Sequence, residues 1–279
     1  RSFYNGGMVY EMLGELQKGL AYKERALVML QHLYGEALHP DIARSLDSVG
    51  VSYGKLGDVL KSLSYKEQAL TMRQKLYGES PHPDLASSLN NVGIVYHKLG
   101  NAQKGLTYKE AALKMRQKLY GEAPHPDVAS SLNNMGVAYG TLGDLQKSFF
   151  YKERGLTMRK QLYGETPHPD LANSLNNLGV AYDTLGDVPK SITYLKQALT
   201  MRQKLYREAR HPDLANSLNS VGVAHRRLGE VQEAKRYFEE GLAVSQKLDA
   251  ALTTSYTQAF AQKLEALHDL HLAEDLPRD

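Results

Sequence analysis

Apolar residues recur at helical spacing along nearly the whole chain, and the stretch from His168 to Tyr206 shows the pattern most clearly. It reads HPDLANSLNNLGVAYDTLGDVPKSITYLKQALTMRQKLY, with Leu175, Leu178, Gly179 and Tyr182 at steps of three, one and three. That is the stripe of an amphipathic helix. Its start is set by His-Pro-Asp: Pro169 suits the first turn, where its missing N–H is not needed, and Asp170 sits by the positive helix end. Gly186 breaks this helix A, and Asp187 is a good N-cap for a helix B. Pro189 falls in the first turn of helix B and does no harm there. Ile192, Leu195, Ala198, Leu199, Met201 and Leu205 then face neighbours, and helix B is predicted to run to about Tyr206.

The same register returns every 43 positions, at His39, His82, His125, His168 and His211, then at Gly50, Gly93, Gly136, Gly179 and Gly222. Self-similarity at such a period predicts a repeat array, in which each helical hairpin contacts its neighbours. The repeats are 1–38, 39–81, 82–124, 125–167, 168–210 and 211–248, followed by a capping helix and tail over 249–279. Asp58, Asn101 and Asp144 match Asp187 as N-caps, with Glu230 the weaker exception. Twelve residues after each helix-A glycine stands a small residue: Gly7 with Gly19, Gly50 with Ser62, Gly93 with Gly105, Gly136 with Ser148, Gly179 with Ser191, Gly222 with Ala234. Paired small residues predict a close antiparallel hairpin, which would justify glycines that each cost helix propensity of roughly 1 kcal/mol.

The ends depart from the period. Arg1-Ser2-Phe3 aligns with Arg44-Ser45-Leu46, already inside helix A, so the chain is expected to begin within a repeat of a longer protein. Tyr4 and Asn5 stand where later copies have Asn-Asn. Gly78, Gly121 and Gly164 are expected to end their helices in the left-handed conformation. Arg207 and Arg210 replace the glycine and the proline of the next joint, so that helix B is expected to run on further than its siblings. Beyond Leu248, Leu252, Tyr256, Phe260, Leu264, Leu267 and His271 keep helical spacing while Glu265, Asp269, Glu274 and Asp275 are polar, which predicts a cap over about 250–273.

The motif Leu-x-x-(Val/Leu/Met)-Gly-x-x-Tyr, a Leu-Gly-Asp turn, then a small residue and Ala-Leu, resembles the tetratricopeptide repeat over nearly the whole chain. The usual unit is about 34 residues. About nine more follow Leu199 and its counterparts, in MRQKLY and the GE(S/A/T)PHP loop. That longer form is similar to kinesin light chain and nephrocystin-type repeats. The resemblance implies an all-α solenoid coiled as a right-handed superhelix, a cytoplasmic location, and a non-catalytic scaffold that binds a protein partner.

Composition and charge narrow the chemistry. At 42% hydrophobic and 23% charged residues, with no long apolar run, membrane insertion is not expected. A net charge of +3 favours neither nucleic acid nor a membrane surface, and the lack of cysteine rules out disulfides and Cys-ligated metals. Neither GxxxxGK nor GxGxxG is present, no nucleophile or carboxylate pair stands out, and no cofactor or small-molecule substrate is implied. The five His of the HPD motifs lie one per repeat, so they read as rings packed at the joints rather than as metal ligands. Tyr53, Tyr96, Tyr139 and Tyr182, near Lys55, Lys98, Arg226 and Arg227, raise base stacking, but they belong to the apolar stripe and read as core with a satisfied hydroxyl. Nucleic-acid binding is therefore a distant alternative. Lys66, Lys109 and Lys152, each followed by Glu, read as solvated helix faces.

A second stripe of helix A carries the candidate site. It holds Ser87, Asn90, Ile94 and His97; Ser130, Asn133, Val137 and Gly140; Asn173, Asn176, Val180 and Asp183; Asn216, Asn219, Val223 and Arg226. In tetratricopeptide arrays this face resembles the lining of the concave groove. A carboxamide donates and accepts, so Asn90, Asn133, Asn176 and Asn219, with Asn91, Asn134 and Asn177 one residue on, form a ladder suited to an extended peptide backbone. Ile94, Val137, Val180 and Val223 would be the apolar floor. His97, Lys98, Asp183, Arg226 and Arg227 would select side chains, with an acidic part of the ligand opposite Arg226 and Arg227. The rival readings are a sensor or regulatory array of a larger signalling protein, and self-association through the end repeats.

Overall fold

The computed structural model describes residues 2–207, 211–248 and 250–274, with side chains at 5–207, 211–248 and 253–267. Arg1 to Tyr4, Arg210 and Asp275, and the side chains of Leu252, Asp269, His271 and Glu274, lie outside the described side chains. Thirteen helices and no strand occur among the described residues. They fall into two compact units, 1–144 and 145–279. The first holds α1 (Ser2–Met12), α2 (Leu16–Tyr34), α3 (Pro40–Lys55), α4 (Val59–Tyr77), α5 (Pro83–Lys98), α6 (Ala102–Tyr120) and α7 (Pro126–Thr141). The second holds α8 (Leu145–Tyr163), α9 (Pro169–Thr184), α10 (Val188–Tyr206), α11 (Pro212–Arg227), α12 (Val231–Ser245) and α13 (Ala250–Glu274). Within each unit consecutive helices pack as antiparallel neighbours, which is an all-α repeat solenoid.

The helix starts follow from the HPD motif. In α3, α5, α7, α9 and α11 the N-cap is a histidine whose Nδ1 accepts the N–H of the aspartate two residues on, at 3.1–3.2 Å. Each ring also stacks on the last tyrosine of the preceding helix, with centroids 3.4–3.7 Å apart. These rings are joint fittings, as the sequence led us to expect. Asp58, Asn101 and Asp187 cap α4, α6 and α10, whereas Glu230 makes no side-chain cap bond at α12.

The helix ends differ from expectation in two ways. Gly78 and Gly121 have positive φ but ψ near −134° and −144°, outside the left-handed helical region and in one that only glycine enters freely. Arg207 adopts a similar geometry, with φ 47° and ψ −113°. Helix α10 therefore stops at Tyr206 like its siblings, and the expected extension does not occur. The joint geometry overrides the residue's own preference, because the next HPD turn must begin in register.

A second device, buried arginine, ties helix B to the following helix A. Arg73, Arg116, Arg159 and Arg202 are 4–6% exposed. Arg116 Nη1 donates to Ser131 Oγ at 2.7 Å and to the Asp127 carbonyl at 3.1 Å. Arg159 reaches the Asp170 carbonyl at 3.0 Å and Ser174, and Arg202 reaches the Asp213 carbonyl at 3.2 Å and Ser217. Arg73 pairs with Asp47 and Ser88. Where the pattern lapses, Leu30 holds the arginine position and the buried Ser45 hydroxyl has no partner among the described residues.

Small residues set the hairpins. A methyl group at Gly93 would lie 2.8 Å from the Gly105 carbonyl and 3.0 Å from Lys109 Cγ; one at Gly7 would lie 2.9 Å from the Gly19 carbonyl. In the second unit, α13 covers α12 with Phe260 and Leu267, which are 2% exposed and packed with Ala234 and Phe238.

Gly93→Ala should lower the melting temperature. The substitution gains about 1 kcal/mol of helix propensity, yet overpacking against the Gly105 backbone costs roughly 1–3 kcal/mol. A melt followed by circular dichroism checks the sign, and a rise would mean the two helices can separate freely.

Candidate functional site

The helix-A stripe separates into positions that are already engaged and positions that are not. In the first unit Asn90 is 9% exposed, and its Oδ1 accepts from Asn134 Nδ2 at 2.9 Å across to the next helix A. Ser87 Oγ accepts from Arg116 at 3.4 Å. His97 Nε2 meets Thr141 Oγ1 at 3.2 Å, while its Nδ1 is buried with no partner among the described residues. Burial, and then the Lys109 charge, hold its pKa below the ordinary histidine value. Asn91 and Ile94 are half-buried, Asn133 is half-buried, Lys98 is exposed, and Val137 exposes 38% of its surface.

In the second unit Asn173 Oδ1 accepts from Arg202 at 2.6 Å, so that rung belongs to the joint. Asn176 and Asn219 differ: each has an Oδ1 that is buried and accepts no hydrogen bond among the described residues. Asn177 is half-buried, and Val180 beside it exposes 42% of its surface. Asp183 and Arg227 form an ion pair with each other, and Arg227 also donates to the Asp183 carbonyl at 3.0 Å. Arg226 is exposed, and Val223 packs against the cluster that contains Phe260.

The Tyr-Lys-Glu stretch of helix B holds what sequence reasoning missed. The tyrosine stacks on the helix-A tyrosine, as in Tyr53 with Tyr65 and Tyr96 with Tyr108, and so does Tyr194 on Tyr182 where Leu195 replaces the lysine, at 5.3–5.6 Å. The glutamate accepts the hydroxyl of the next helix A: Tyr53 donates to Glu24 at 2.7 Å, Tyr96 to Glu67 at 2.6 Å, Tyr139 to Glu110 at 3.1 Å. The bond to Glu24 pushes the Tyr53 hydroxyl pKa up to about 12. Tyr96 is thus a core residue and Tyr53 and Tyr139 are half-buried, all three with satisfied hydroxyls.

The lysines do not form solvated faces. Lys23, Lys66 and Lys109 are 3%, 7% and 3% exposed, and Lys152 is half-buried. Their stems cross the helix-A glycines, with Lys66 Cγ 3.1 Å from the place of a Gly50 methyl and Lys109 Cγ 3.0 Å from that of Gly93. The available signal was positional: Leu195 and Phe238 stand at the same place in later repeats, which marks it as a core site. Lys23 has company there, with Nζ 2.6 Å from Glu11 Oε1 and 3.0 Å from Ser52 Oγ, while the exposed Lys55 takes Glu11 Oε2 at 2.7 Å.

Among the described residues, no group of three or more His, Cys, Asp or Glu side chains is placed to share a metal ion, and no helix is long and apolar enough to cross a membrane.

The Glu11 cluster makes a pH prediction. Burial alone would raise the Glu11 pKa, but the bonds from Lys23, Lys55 and Ser52 outweigh it and hold the carboxyl at about 2. A depressed folded-state pKa contributes stability that is complete above the unfolded value near 4.5 and is lost as pH falls through about 2. The stability difference between the protein and Glu11→Gln should therefore be largest at neutral pH, on the order of 3 kcal/mol. It should shrink steadily between those two pH values. Urea unfolding at a series of pH values checks it, and a pH-independent difference would contradict the linkage.

A model of the tetratricopeptide repeat family matches residues 84–161 and 170–247, and a second model of the same repeat matches 42–84. A search of the curated proteins returns no match. Among solved structures the chain is similar to BtubC (BKLC) of P. vanneervenii, with 23% identity and a TM-score of 0.69 over 82% of this chain and 90% of that one. It is similar to a Podosopora anserina putative kinesin light chain with nearly identical TPR-like repeats, with 24% identity and a TM-score of 0.61 over 75% of this chain and 97% of that one. It also resembles a signal transduction ATPase with a tetratricopeptide repeat sensor from Pyrococcus horikoshii, with 15% identity and a TM-score of 0.67 over 98% of this chain and 41% of that one. At these identities the structural likenesses speak for the fold, and the repeat models, which span most of the sequence in register with the HPD helices, speak for descent. The chain belongs to the tetratricopeptide repeat family.

Proposed function

We propose that this chain is a non-catalytic, cytoplasmic interaction scaffold that holds an extended peptide segment of a partner protein on its helix-A faces. The carrying observation is the pair of acceptors Asn176 Oδ1 and Asn219 Oδ1, which lie buried on that face of the second unit without a hydrogen bond. A buried acceptor left unpaired is costly, and the backbone N–H groups of an extended peptide would satisfy both without regard to side chain. Val180, one helical turn beyond Asn176 on α9 and 42% exposed, would supply apolar contact for the same strand. Asn90, which is bonded to Asn134, serves first as a tie between helices. Asp183 and Arg227 neutralise each other, so Arg226 is the cation of that region left to meet an acidic side chain.

A second reading is a sensor array in a larger signalling protein. What favours it is the likeness over 98% of this chain to the sensor-bearing ATPase, of which the alignment covers 41%. The sequence of the gene on both sides of this segment separates the two, and light scattering over a concentration range tests self-association.

Peptides selected from a random display library on the immobilised full chain provide the assay for the scaffold reading. Asn176→Ala and Asn219→Ala should each weaken the selected peptides by about 1 kcal/mol, a roughly fivefold loss, while the melting temperature stays within a degree or so. If instead the melting temperature drops and affinity holds, these carboxamides are structural and the reading fails.

A further inference from the structure

In the first unit a groove of about 560 Å³ is lined by α2, α3, α4 and the joint that precedes α3. Its floor is Ile42 and Leu46 of α3 with Leu63 and Met72 of α4, and its flanks are Leu38 and Leu60. Leu38 is 43% exposed and Leu60 71%. Both depart from the period: Pro81, Pro124 and Pro167 hold the place of Leu38, while Gln17, Gln103, Gln146, Pro189 and Gln232 hold that of Leu60. Val28 lies 51% exposed one turn before Gln31, which also lines the groove, and stands where later copies have Thr71, Lys114, Thr157 and Thr200. Three exposed positions that are polar or proline elsewhere thus turn apolar around one apolar floor, which is the signature of a contact surface rather than of drift.

The groove is long rather than round. Its lining on α4 extends from Leu60 to Lys75, a rise of roughly 22 Å at about 1.5 Å per residue. Leu60 stands at the start of α4, whereas Leu38 leads into α3, which runs antiparallel to α4, and so lies toward the Lys75 end. An extended peptide is a poor occupant, because its backbone N–H and C=O groups would lie unpaired over leucine, isoleucine and methionine. A helix satisfies its own backbone and can lay an apolar stripe along such a floor. Glu67 and Lys75 are the charged residues of the lining. Glu67 accepts the Tyr96 hydroxyl at 2.6 Å, while the exposed Lys75 makes no ion pair among the described residues. The Lys75 end therefore favours an acidic over a basic side chain.

We propose that this groove docks an amphipathic helix of a partner protein, about four turns long, whose apolar stripe covers Leu38, Leu60 and the floor between them and whose end over Lys75 is acidic. None of the candidate residues of the helix-A stripe lines the groove, so this second surface stands apart from the extended-peptide reading. The two leucines hold the two ends of the helix, and the floor between them takes apolar side chains at third- and fourth-residue spacing.

The test selects helical peptides of about 15 residues on the immobilised full chain, from a display library with one face varied among Leu, Ile, Met and Phe and the ends varied among Glu, Gln and Lys. Selected peptides should carry Glu rather than Lys at one end, and should gain helical circular dichroism on binding. Leu38→Pro and Leu60→Gln install residues that other repeats carry at the same places, so the melting temperature should hold. Each should weaken the selected peptides at least about tenfold, the loss expected for one buried leucine contact. Lys75→Glu should turn the preference at that end from Glu to Lys. Failure to enrich any helix overturns the proposal, and so do selected peptides that bind in extended form or that bind both leucine variants as tightly as the parent. A dimer of the parent in light scattering that Leu60→Gln dissolves would make a second copy the occupant, which also overturns it. Loss of extended-peptide binding in Asn176→Ala or Asn219→Ala bears on the helix-A reading alone, so the two can fail separately.

Discussion

The close approach of two helices at a glycine governs the rest of this structure. The axes come near enough that a methyl group on Gly93 would touch the backbone of Gly105, and a methyl group on Gly105 would lie 2.7 Å from the Gly93 carbonyl. Such proximity leaves one helix-B side chain to cross directly over the glycine, and whatever stands there is buried by geometry rather than by its own hydrophobicity. Leu195 and Phe238 fill the place as ordinary core residues, 2% and 0% exposed. Lysine fills it in earlier repeats, where Lys23, Lys66 and Lys109 are 3%, 7% and 3% exposed. The hairpin contact that builds the fold thus also buries a residue type that sequence alone places at the surface.

Between hairpins a different chemistry operates. The stacked tyrosine and histidine, the histidine cap and the buried arginine fix the distance and register from one helix B to the next helix A. Each is a polar or aromatic contact with defined geometry, which suits a joint that must repeat without drifting. Arg207 illustrates the strength of the constraint, because a non-glycine residue is held at positive φ to keep the following HPD turn in place.

Much of the fold was legible because period, cap and breaker agree. Pro169 marked the start of α9, and Asp187 and Tyr206 the bounds of α10, to the residue; Gly186 lies just beyond Thr184, the last residue of α9, and the small pairs marked the hairpin contact. The extension at Arg207 was misread because propensity was allowed to outweigh a joint fixed by tertiary contacts. The Tyr-Lys-Glu stretch was misread for a related reason: residue type was allowed to outweigh position, although Leu195 and Phe238 already marked a core site. On the candidate face, the sequence distinguished a stripe of fixed carboxamides but could not separate Asn90 and Asn173, which are bonded within the protein, from Asn176 and Asn219, whose acceptors are unpaired. That difference arises from side chains of neighbouring helices, which a spacing rule does not contain.

The account depends most on the burial of the lysines that cross the helix-A glycines, and lysine-selective NMR observes it directly. With isotopically labelled lysine, the Lys109 side-chain signals should titrate below the range of the exposed lysines in the free protein, because burial disfavours the ammonium. An ordinary lysine titration at Lys109 would contradict the account.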